Sequence, residues 1–138
     1  LATVYPQIVR SLISGGMAAL ISYYLSSKAL KVAGEKAIVY ISPILEETFK
    51  TGFALLLAGN ILFAHVTFGV AEAVYDIWTN KGAIAYWAGV ASIVSHGVFG
   101  MVTQYFIYRT GSNLIGIGAA ILLHVAWNYK IIEFKNHY

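Results

Sequence analysis

No cysteine occurs in the 138 residues, and aspartate occurs once, at Asp76. The first absence removes disulfides, thiolate metal ligands and a cysteine nucleophile together. The second rules out an intramembrane aspartyl dyad within one chain. A Gly-x-Ser-x-Gly nucleophile turn is also missing, and with it the recognisable centre of a serine mechanism. Charge is scarce: Asp, Glu, Lys and Arg make up 11% of the chain, against about 25% in soluble domains. Hydrophobic residues reach 59% and mean hydropathy is +0.70, so a soluble surface cannot be assembled and the chain belongs in a membrane. The net charge of +3 does not imply nucleic acid, because the basic residues are scattered. No signal peptide is recognisable, and a start on Leu1 leads us to expect that the native N-terminus lies upstream.

Five apolar stretches are present, each close to the ~20 residues a span needs, at about 5–26, 37–58, 61–79, 83–108 and 113–132. Continuous instead of alternating apolar runs argue against a β-barrel. The expected fold is therefore all-α, a single polytopic bundle of about five transmembrane helices over residues 1–138. Small residues such as Ser14, Gly15 and Gly16, and later Gly111, Gly116 and Gly118, suit close helix packing. Lys28, Lys31, Lys36, Lys81, Lys130 and Lys135 fall on one side of this arrangement, with Arg10 and Arg109 on the other. The positive-inside rule then predicts a cytoplasmic C-terminus, with the plasma membrane as the expected location. A second copy of the chain is a possible partner for the small-residue faces.

Inside this apolar background the second stretch carries Glu46, Glu47 and Lys50. Each ionisable group at a helix centre costs roughly 2.5–3.5 kcal/mol on the insertion scale, so three together demand a role. Four-residue spacing predicts a Glu46–Lys50 ion pair, leaving Glu47 about 100° away and free to face a cavity. At ~1.5 Å per residue, Glu72, His96 and His124 share a layer with the glutamates, from the midplane toward the cytoplasm. His65 is expected near the outer end of its span, outside that layer, and Asp76 near a solvated surface. His65, Gly69, Glu72 and Asp76 lie along one helical stripe. His124 and Asn128, one turn apart, form a donor pair able to hold a carbonyl oxygen or orient a glutamate.

Taken together, Glu-Glu-x-x-Lys at 46–50, Phe-Gly-x-x-Glu-x-x-Tyr at 68–75, His96 followed by Gly100, and His-x-x-x-Asn at 124–128 resemble the motif set of the PrsW-type membrane proteases. That group belongs to the superfamily of type II CAAX prenyl endopeptidases and bacteriocin-processing enzymes. The resemblance covers about Pro43 to Asn128. Thr51 stands where the CAAX branch has arginine, and Glu72 where that branch has histidine, so the chain follows the PrsW pattern. The resemblance implies a glutamic intramembrane protease acting on a membrane-associated protein or peptide.

Peptide-bond hydrolysis by a glutamate-activated water is the leading expectation. Glu46 or Glu47 would be the base, aided by His96 or Glu72, with His124 and Asn128 at the oxyanion and Lys50 in support. No cofactor is required by that scheme. Zinc is possible, since Glu46, Glu72, His96 and His124 are all suitable ligands, although His-Glu-x-x-His is missing. A small proton- or ion-coupled transporter using the same midplane groups is the rival from another class, and an inactive scaffold is a further one.

Overall fold

The computed structural model describes residues 4–80 and 82–137, with side chains as far as Phe134. Lys81 and the side chain of Lys135, both counted in the charge bias, lie outside the described residues. Five α-helices succeed one another: α1 (Val4–Ala33), α2 (Ser42–Leu56), α3 (Ile61–Thr79), α4 (Ala83–Thr110) and α5 (Asn113–His137). A π-helical turn, Ala37–Ile41, leads into α2. Among the described residues there is no strand. The chain is an all-α membrane bundle: α1, α3, α4 and α5 are long and apolar enough to cross a bilayer.

The second stretch departs from the expected span. Pro43 sits in the first turn of α2, where its missing N–H is tolerated, and the preceding residues widen into the π turn. That leaves α2 only 15 residues, a length of about 22 Å. Its charged positions point inward and its apolar ones outward: Glu47, Lys50 and Thr51 are fully buried while Ile44, Leu55 and Leu56 are exposed. Such inversion is required of a helix with lipid on one side and a polar interior on the other.

α2 and α3 are joined by a tight turn recessed into the bundle. Gly59 lies against the backbone of Ser11, where a Cβ would come within 3.1 Å of the Ser11 nitrogen. Ser11 is seven residues inside α1, so the turn is about 10 Å below the beginning of that helix. Its backbone donors are all occupied. Leu57, Ala58 and Gly59 donate to the carbonyls of Phe53, Leu55 and Ala54, and Asn60 N donates to Ser11 Oγ at 2.7 Å. Asn60 Oδ1 then caps α3 by accepting from Phe63 N. Satisfying every group is the condition for non-helical backbone at this depth.

From this turn α3 runs parallel to α1 and α4 returns antiparallel to α3. Gly15 packs on the Ala64 carbonyl, Gly69 on Ser92 and His96, and Gly100 on His65. Without side chains these positions let backbones approach closely enough for the polar groups of neighbouring helices to touch. Gly116 plays the same part between α5 and α4, against the Thr103 carbonyl. Lys28, Lys31, Lys36 and Lys130 consequently share one end of the bundle, and Arg10 and Arg109 the other.

Candidate active site

A cavity of about 850 Å³ lies among all five helices. Much of its wall is apolar, from Ala19, Leu20, Phe68, Ala71, Ala91 and Trp127, and its polar lining includes Glu46, Glu72, Asp76, His96, His124 and Asn128. Five of the six residues expected to carry chemistry therefore face one space. The sixth, Glu47, lies directly behind it.

Glu47 is fully buried and holds the inner polar network together. Its Oε1 accepts from Lys50 Nζ at 2.5 Å and from His124 Nδ1 at 2.8 Å, and its Oε2 is 3.5 Å from His65 Nδ1. The expected Glu46–Lys50 pair is thus replaced by Glu47–Lys50. Both glutamates are within reach of Lys50 along the helix; the choice is made by α4, whose His96 Nδ1 lies 2.8 Å from Nζ on the Glu47 side. Lys50 Nζ also lies 4.5 Å from the centre of the Phe68 ring, a cation–π contact.

His65 is the second departure. It is fully buried, and its Nε2 is 3.2 Å from Thr51 Oγ1. Counting its depth from the end of a full span misplaces it, because α3 begins at the recessed turn and not at the bundle surface. The stripe it shares with Gly69 and Glu72 was the available signal.

Donor and acceptor rules fix the tautomers of the other two histidines. An ammonium has only hydrogens to give, so His96 Nδ1 accepts from Lys50. His96 Nε2 then carries the proton and donates to Glu72 Oε2 at 2.7 Å. Ser92 Oγ donates to the same oxygen at 2.7 Å, leaving Oε1 of Glu72, whose side chain is 42% exposed, to the cavity. His124 donates through Nδ1 to Glu47, which leaves Nε2 bare. Phe99 stacks on the His124 ring at 4.5 Å between centroids and holds that orientation.

Glu46 completes the site. It is 8% exposed, it lines the cavity, and its buried Oε2 has no hydrogen-bond partner. The bare His124 Nε2 is 3.9 Å from that oxygen. Two acceptors at this spacing match a single water donating one hydrogen to each, which for hydrogen bonds of normal length spans about 4 Å. Asn128 Nδ2 donates to the Ile38 carbonyl at 2.9 Å, so one N–H is committed to the π turn and the other remains for the cavity.

Glu46, His96 and His124 each present one ligand atom, all within 4.8 Å of one another. His124, backed by Glu47, has the carboxylate–histidine arrangement common behind metals. His96, however, has both ring nitrogens engaged, one by the Lys50 ammonium and one by Glu72. A cation here would have to displace one of them. Comparison of the chain with models of known families, with curated proteins and with solved structures gives no match, so chemistry has to be read from these side chains themselves.

Proposed function

We propose that this chain is an intramembrane endopeptidase of the PrsW-like kind its motifs resemble, hydrolysing a peptide bond with a water activated by Glu46. One observation carries the reading: a buried carboxylate oxygen without a partner faces a bare imidazole nitrogen across 3.9 Å at the wall of a large cavity. A water held by both acceptors has its lone pairs directed away from them, toward a substrate carbonyl. As it attacks, one proton passes to Glu46 and the carbonyl oxygen becomes an oxyanion, which the second Asn128 N–H is placed to receive. Glu46 then gives its proton to the departing amide nitrogen as the C–N bond breaks, and His124 Nε2 takes the remaining hydroxyl proton.

Glu47 and Lys50 act through other groups. They hold His124 in the tautomer with Nε2 bare and His96 in the tautomer that donates to Glu72. The positive-inside pattern supports an orientation with the cavity's Asp76 end toward the cytoplasm.

Purified protein in lipid nanodiscs, given a set of single-span membrane peptides, provides the test. Glu46→Gln is expected to lower cleavage by roughly 10²–10⁴-fold with thermal unfolding unchanged. Full cleavage by Glu46→Gln would sink the reading. A zinc-dependent version, favoured by the Glu46–His96–His124 grouping, makes a separate forecast: activity lost to a strong chelator and restored by stoichiometric zinc.

A further inference from the structure

The charge of the cavity wall is one-sided. Glu46, Glu72 and Asp76 line it, and among the described residues no lysine or arginine does. Lys50, the one buried lysine or arginine among the described residues, is consumed behind the wall by Glu47 and His96. Asp76 makes no side-chain ion pair among the described residues, and Glu72 keeps Oε1 uncommitted. Acidic residues gathered at a surface would mean little. Here they continue from Glu46, a residue 8% exposed that lines the same space and whose buried Oε2 has no hydrogen-bond partner.

Three carboxylates bordering a space with low-dielectric walls create a field that an uncharged occupant leaves unanswered. Along α3 the cavity extends from Phe68 to Asp76, about 12 Å, room for three to four residues of extended peptide at roughly 3.3 Å each. Glu72 lies beside the Glu46–His124 centre, and Asp76 is one helical turn, about 5–6 Å, beyond it.

Resting on the protease reading, we infer that the cavity selects a substrate with a cationic nitrogen two or three residues from the scissile bond, received by Asp76 and Oε1 of Glu72. The nitrogen belongs either to a lysine or arginine side chain or to the peptide's own α-ammonium. The acids supply recognition only, and no bond is made or broken at Asp76.

The test uses the full chain in nanodiscs with ten-residue fluorescent peptides. These carry lysine, arginine, norleucine or glutamate at successive positions around one peptide bond, each with a free or an acetylated N-terminus. Binding is read by anisotropy on Glu46→Gln protein, and cleavage as kcat/KM on the unaltered chain. Cationic peptides are expected to bind at least about tenfold more tightly than norleucine ones at low salt. Asp76→Asn should remove most of that difference, and Asp76→Lys should reverse it in favour of glutamate. Preference that survives acetylation assigns the nitrogen to the side chain; preference abolished by acetylation assigns it to the α-ammonium. Cleavage indifferent to peptide charge overturns the inference and leaves the protease standing. Charge-selective binding that Asp76→Lys reverses, with no peptide cut, supports the cation site and overturns the protease. If binding is charge-blind and nothing is cut, both fall.

Discussion

Replacing Lys50 by methionine removes the ammonium in direct contact with a fully buried carboxylate. Lys50 Nζ donates to Glu47 Oε1 at 2.5 Å and to His96 Nδ1 at 2.8 Å, with both partners of the ion pair wholly inaccessible. Breaking a buried pair from one side costs about 3–5 kcal/mol, because the remaining charge stays out of water. Glu47 retains His124 at 2.8 Å, which places the expected loss near the lower limit, about 3 kcal/mol. For a chain of this size that corresponds to a fall of roughly 10 °C in unfolding temperature. Glu47→Gln should cost a similar amount, since it leaves the buried ammonium with neutral acceptors and no counter-charge. The double variant strands no charge, although His96 Nδ1 still loses its donor, so its loss should be smaller than the sum of the two by about 2 kcal/mol. Thermal or denaturant unfolding of all four proteins in one detergent, monitored by helix content, gives the coupling directly. Strictly additive losses would show that the pair does not hold the interior together, and the positioning role assigned to it would go as well.

Other outcomes separate the remaining parts of the structure. Gly15→Ala drives a Cβ into the Ala64 carbonyl oxygen and the Thr67 side chain, whereas Gly16→Ala meets nothing within 4 Å. Overpacking predicts a loss of about 1–3 kcal/mol for the first and a near-neutral second, measured by the same unfolding assay; equal effects would refute the parallel packing of α1 on α3. Asn128→Ala should reduce kcat by roughly 10²-fold with little change in KM, as removal of one oxyanion donor does; a pure KM effect would reassign Asn128 to binding. Exhaustive chelation, verified by elemental analysis, is expected to leave cleavage intact, because Lys50 and Glu72 already occupy both nitrogens of His96. Loss on chelation with rescue by zinc would favour the metal version.

Much of this arrangement can be read from the chain without coordinates, and the parts that cannot share one physical cause. Counting residues along apolar stretches places Glu46, Glu47, Glu72, His96 and His124 at one depth, and their side chains do converge. The count works because α3, α4 and α5 are regular and long, so depth is set by a fixed rise. It fails for His65 because the α2–α3 turn is recessed against Ser11, an effect of tertiary packing that no spacing in α2 or α3 records. The π turn before α2 is foreshadowed by Pro43, yet its extent depends on how the helix after it is seated.

The division of labour between the paired glutamates depends on that seating. Helical spacing permits Lys50 to reach Glu46 at four residues or Glu47 at three, and nothing local decides between them. The decision is made by partners from other helices: His96 on α4 anchors Lys50, and His124 on α5 and His65 on α3 turn toward Glu47. Once Glu47 has gathered one lysine and two histidines, no donor among the described residues remains for Glu46 Oε2. An orphaned carboxylate oxygen in an apolar interior is a standing cost, relieved when a bound water or a substrate nitrogen donates to it. The neighbour held by Lys50 and His124 is therefore the structural member of the pair, although its Oε2 also lacks a hydrogen bond, 3.5 Å from His65 Nδ1, and the neighbour that lines the cavity without any such hold is the one equipped to meet a substrate.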